Sequence, residues 1–113
     1  LRDQQMYNYM EEIVNSCGYP FLNMNNYYEE TGIIFEEDFA DYGSHTNAVG
    51  AEKCTDFLRE YLLENYEFTD KRGDAVYASW DESYVRWQNE MEVARQTISD
   101  RIANEEYAVI EEE

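Results

Sequence analysis

Apolar side chains at Trp80, Tyr84, Trp87, Met91, Ala94 and Ile98 are separated by alternating steps of four and three residues. That spacing puts all of them on one stripe of a continuous α-helix and is incompatible with the two-residue alternation of a strand. A seam of this length carrying two tryptophans has to be covered, by the rest of its domain or by another chain, because exposed apolar stripes promote association. The helix is predicted to begin at Trp80, where Ser79-Trp80-Asp81-Glu82 has the S-x-x-E form of a capping box. Beyond Ile98 the pattern slips to Ile102 and fades into an acidic tail.

Two further helices are legible. Met6, Met10, Ile13, Val14 and Cys17 recur at helical intervals from Asp3 onward, and Gly18 stands where a left-handed cap would end that helix, with Pro20 blocking its continuation. Ala51, Cys54, Leu58, Tyr61 and Leu62 mark one face of another helix running to about Tyr66, with Thr46 or Asn47 as its N-cap. Between these helices, Tyr19 to Asn25 reads as a short strand. Residues 26 to 44 read as a long irregular connection with one short apolar segment at Ile33 to Phe35. The predicted class is therefore α/β, dominated by three helices with one or two short strands.

A length of 113 residues fits one domain, and a hydrophobic share of 43% supports a modest core. Eleven tyrosines make much of that apolar surface amphipathic, which suits a wet core or an interface. The formal charge of −18 opposes contact with phosphate backbones and anionic lipid head groups, so nucleic acid is not an expected partner. No stretch approaches the roughly 20 apolar residues that cross a bilayer. The chain opens at Leu1, which is compatible with a piece of a longer protein. Cys17 and Cys54 lack the neighbours of a zinc site and fall on apolar helix faces, where they read as small buried hydrophobes, with a disulfide between the helices as the alternative. One histidine and dispersed carboxylates give no metal-ligand spacing, and clustered acids such as Glu36, Glu37 and Asp38 read as a solvated face, with weak calcium binding as the alternative. No cofactor is expected.

The one histidine, His45, lies in "DYGSHTNAVGAEK", just ahead of a helix N-terminus. Imidazole ordinarily titrates near ~6.5, so it can take and return a proton at neutral pH. That role needs an orienting carboxylate on one ring nitrogen and a nucleophile on the other. Asp41, four residues upstream, and Asp38, seven upstream, are both candidates for the carboxylate, on a loop that Gly43 lets turn sharply.

The run "DFADYGSHTNAVGAEKCTDFLREYL" resembles the last conserved block of the SGNH, or GDSL-type, hydrolases, in which an Asp-x-x-His pair precedes the C-terminal helix. Bacterial members often continue as His-x-Asn-x-x-Gly-x-x-Lys, matched here by His45, Asn47, Gly50 and Lys53. "MYNYMEEIVNSCGYPFLNMN" is similar to the helix and last strand before that block, and "YEFTDKRGDAVYASWDESYVRW" to an extension after it. The spacing from Asp41 to His45 is one residue longer than usual in the family. The resemblance implies the C-terminal part of a three-layer, flavodoxin-like domain over residues 1–68, with a C-terminal extension carrying a long amphipathic helix over 69–113. It further implies hydrolysis or transfer of an acyl group, commonly an acetyl ester on a carbohydrate, in an extracytoplasmic or cell-envelope setting. His45 would be the general base and Asp41 or Asp38 its orienting carboxylate.

The family's Gly-Asp-Ser motif and oxyanion-hole blocks have no counterpart in these residues, and Ser16, Ser44, Ser79, Ser83 and Ser99 all lack that context. The resemblance thus implies a nucleophile located elsewhere and no esterase activity in this chain alone. The alternative is a non-catalytic acidic interaction module, associating with another molecule or with itself through Trp80, Tyr84, Trp87, Met91 and Ile98.

Overall fold

A computed structural model describes residues 2–41 and 43–104, so the last part of the 69–113 extension lies outside the described residues. The chain divides into two compact units, Leu1–Glu30 and Thr31–Glu113.

The first unit is built on α1 (Arg2–Ser16). The helix ends as its sequence predicts: Gly18 takes φ +83°, its N–H donates to the Asn15 carbonyl (2.9 Å), and the Tyr19 N–H donates to Val14 (3.3 Å). This pair of bonds forms a Schellman cap, which satisfies carbonyls left over at the last turn. Met6, Met10 and Ile13 on the predicted apolar face are 52%, 41% and 46% exposed, so α1 buries none of its residues.

The strand expected over Tyr19 to Asn25 does not form. Asn23 is buried, and its side-chain oxygen accepts the Asn25 N–H (3.2 Å) and the Asn25 side-chain amide (3.0 Å), which turns the chain into a 3-10 helix over Met24–Tyr27. A side chain that supplies a backbone partner locally removes the need for a neighbouring strand. One helical turn, α2 (Tyr28–Thr31), follows.

The apolar segment at Ile33 to Phe35 leads into a short helix. Ile34 is extended at φ −113°, and Phe35–Asp38 forms a single helical turn, α3. The Asp38 carboxylate accepts the Ile34 N–H at 2.6 Å, and the Phe35 and Phe39 rings stack at 5.3 Å. The nearest approach to β-structure is an isolated antiparallel bridge between Phe39 and Thr46. Among the described residues there is no strand and no sheet, and the α/β, three-layer flavodoxin-like expectation is corrected to an all-helical architecture.

Two long helices dominate the second unit. The first, α4 (Ala48–Asn65), begins at Asn47, whose side-chain oxygen accepts the Val49 and Gly50 N–H groups (3.0 and 3.1 Å). Of the predicted face, Cys54, Tyr61 and Leu62 are half-buried while Ala51 and Leu58 are exposed, and Gly50, buried, and Phe57, half-buried, join it. Gly50 joins that face because it lies directly against the Asp38 backbone of the loop before the helix. Cys54 is half-buried and Cys17 exposed, and both are free thiols, so the disulfide alternative does not form and only Cys54 is partly enclosed.

The second long helix, α5 (Ala78–Ala103), starts two residues earlier than predicted. Asp74 supplies the cap instead of Ser79, accepting the Val76 N–H (3.0 Å) at the head of a 3-10 turn over Ala75–Tyr77 that runs directly into α5. Ser79 is then inside the helix, where its carbonyl accepts the Ser83 hydroxyl (2.8 Å).

The apolar seam of α5 is divided. Among the described residues Met91 and Ile98, at 9% and 8% exposure, are the buried hydrophobic ones, and α5 packs against α4. There Arg95 donates through Nε to Glu52 (3.0 Å) and pairs through Nη2 with its other oxygen, which holds the Glu52 carboxyl below its usual range. Trp80, Tyr84 and Trp87, at 75%, 56% and 43% exposure, line an open groove of about 480 Å³ with Ser79 and Ser83. Met91 and Ile98, two of the residues expected to serve self-association, are thus buried by packing within the chain instead.

Candidate functional site

His45 sits on the connection from α3 to α4, and the residues around it are tied to both helices. Asp41 organises the turn with its two oxygens divided between backbone and ring. Oδ1 accepts the N–H groups of Ser44 and His45, each at 2.9 Å, while Oδ2 lies 2.5 Å from His45 Nδ1. The carboxylate thereby closes the turn and meets the imidazole at once. The His45 side chain is 79% exposed, and contact at Nδ1 leaves Nε2 as the nitrogen able to exchange a proton with another group.

This contact sets the ionisation of Asp41. Its carboxyl is lowered from the ordinary 3.8 to about 2, first by the hydrogen bond with the His45 side chain, then by the His45 and Ser44 N–H groups, with partial burial opposing. A carboxyl depressed on folding contributes stability at pH values above 3.8 that is lost as the pH falls through about 2. A carboxyl ¹³C titration of the folded protein should therefore place Asp41 near that lower value, and His45→Ala should return it toward 3.8. An unchanged midpoint in His45→Ala would show that the ring is not its partner.

Asp38, the other candidate carboxylate, faces elsewhere. It is 2% exposed and sits between the Ile34 N–H and the Lys53 ammonium, whose Nζ lies 2.5 Å from Oδ2. The structure thus brings Asp41 to the imidazole and gives Asp38 to the loop's foundation.

Three residues of the His45-Asn47-Gly50-Lys53 pattern converge on that foundation. The Asn47 N–H donates to the Asp38 carbonyl (2.8 Å), and its side-chain amide donates to the Glu37 carbonyl (2.6 Å) while its oxygen caps α4. Gly50 lies so close that an added Cβ would stand 2.3 Å from the Asp38 carbonyl oxygen, a separation no side chain tolerates. Lys53, one further turn along α4, reaches the Asp38 carboxylate. Steps of three from 47 to 50 to 53 place these residues along one helix face, which was the signal available in the sequence for their joint role.

Cys54, the nearby thiol, is not activated. Burial first, then the Asp38 charge, push its ionisation up, away from the thiolate needed for nucleophilic chemistry. Among the described residues no group of three or more histidine, cysteine or acidic side chains could hold a metal ion, and no helix is long and apolar enough to cross a membrane.

Comparison of the chain with protein families, with curated proteins and with solved structures finds no match.

Proposed function

We propose that this chain carries the histidine–aspartate half of an acyl-ester hydrolase or acyl-transferase site. In this reading Asp41 fixes the tautomer of His45 by accepting from Nδ1–H, and Nε2 takes the proton of a hydroxyl nucleophile during attack on an acyl carbon. The serine that would supply that hydroxyl lies in polypeptide outside these residues, and the substrate class is an acylated small molecule or carbohydrate. The observation that carries the reading is the Asp41 Oδ2 to His45 Nδ1 contact beneath a solvent-open ring. The resemblance of residues 38–53 to the final SGNH block, which includes the same Asp41 and His45, is the sequence support for it.

Turnover of p-nitrophenyl acetate by a polypeptide extended to include an upstream Gly-Asp-Ser segment tests the proposal. His45→Ala is expected to abolish that turnover, whereas residues 1–113 alone should give none. Undiminished activity in the variant would refute the assigned role.

A second reading, an acidic interaction module, is favoured by the aromatic groove at Trp80, Tyr84 and Trp87. It makes His45 incidental and predicts no esterase activity at any length of chain, so the same assay separates the two.

A further inference from the structure

The contacts beneath the His45 turn form a continuous brace. Lys53 on α4 holds the Asp38 carboxylate, and that carboxylate holds the Ile34 N–H at the start of α3. The Asp38 carbonyl accepts the Asn47 N–H, and Asn47 Nδ2 reaches back to the Glu37 carbonyl at 2.6 Å. From this base the two arms of the loop rise as a ladder: Phe39 bridges Thr46, and the Ala40 N–H donates to the His45 carbonyl at 2.8 Å. At the top, Asp41 and His45 meet. Both reactive side chains are partly or largely open to solvent, so their separation is set by the Ser44 and His45 N–H bonds to Asp41 within the turn and by this ladder beneath it.

We infer that Asp38, Asn47 and Lys53 are positioning residues that hold His45 and Asp41 in register. The inference deepens the proposed proton-transfer role and rests on it. Removing the Lys53 charge leaves a 2%-exposed carboxylate without its ammonium. Such a group moves toward water, and here it carries the Asp38 carbonyl and the foot of the ladder with it. The Asp41–His45 contact then loosens although neither residue has been altered.

The readout is the tautomer of the neutral imidazole, measured by long-range ¹⁵N–¹H correlation on labelled residues 1–113 above the pH at which the ring titrates. The intact protein should be mainly Nδ1-protonated, because that proton is donated to Asp41. Lys53→Met should lower the Nδ1–H fraction roughly twofold or more toward the mixture of an unconstrained histidine, and Lys53→Arg should restore it. A folded Lys53→Met protein with an unaltered tautomer ratio would overturn the inference.

If circular dichroism shows that Lys53→Met does not fold, Asn47→Asp decides. It keeps the helix cap but loses the donor to Glu37, and a tautomer ratio equal to that of the unmodified protein would count against the brace. Asp41→Asn separates the two levels of the argument. A ratio unmoved by Asp41→Asn removes the histidine–aspartate pairing itself, and a ratio moved by Asp41→Asn but by neither brace variant removes only the positioning role.

Discussion

Exchange of Asp41 for asparagine is expected to lower acyl-ester turnover in the nucleophile-containing polypeptide by roughly 10³–10⁴-fold, with only a small change in folding stability. The two effects separate because the two oxygens of Asp41 have separate tasks. Asparagine retains an oxygen able to accept the Ser44 and His45 N–H groups, so the turn keeps its backbone bonds. In place of Oδ2 it presents an amide donor to Nδ1, which favours the tautomer protonated on Nε2. That nitrogen then carries a proton when it should be taking one. Steady-state kinetics with a urea unfolding curve of the same variant check both halves. A variant that keeps its activity, or that loses activity only because it unfolds, would remove Asp41 from the proton-transfer assembly.

The helices were legible because their signals are local. Gly18 and Asn47 are end markers whose chemistry acts within one turn, and both perform the predicted role. The absence of strands among the described residues was not legible. Tyr19 to Asn25 has enough apolar character to suggest a strand, but Asn23 satisfies a backbone N–H two residues on, and Asp38 satisfies one four residues back. Alternation reports which side chains could share a face and is silent on whether a neighbouring strand exists to pair with.

Ser79 failed as a cap for a related reason. A capping-box pattern recognises a helix start, but Asp74 had already started helical turns upstream, leaving Ser79 inside a helix. For α4, the apolar residues Ala51, Cys54, Leu58, Tyr61 and Leu62 suggested the inward face, and Cys54, Tyr61 and Leu62 are half-buried on it, but hydropathy could not single out Gly50, whose close approach to Asp38 seats the start of the helix.

At the site, sequence distance could not choose between Asp38 and Asp41. Both lie within reach of a turning loop, and the choice depends on Lys53, which lies fifteen residues beyond Asp38 and claims its carboxylate.

That division of labour predicts the reverse pattern at Asp38. Asp38→Ala should destabilise the unit spanning Thr31–Glu113 by roughly 3–4 kcal/mol, the order expected for breaking a buried pair from one side and leaving a backbone donor without its acceptor. The Ile34 N–H loses its partner at the start of a helix only one turn long, and Lys53 is left beside the empty place. Lys53 is itself 30% exposed and can turn its ammonium toward water, which holds the figure near the lower end of the range for buried pairs. Both tryptophans, Trp80 and Trp87, belong to this unit, so a tryptophan-fluorescence urea curve reads its unfolding directly. The midpoint should fall sharply in Asp38→Ala and scarcely move in Asp41→Asn. Equal midpoints for the two variants would mean that the buried carboxylate does not anchor the loop, and the structural basis for distinguishing the two aspartates would be lost.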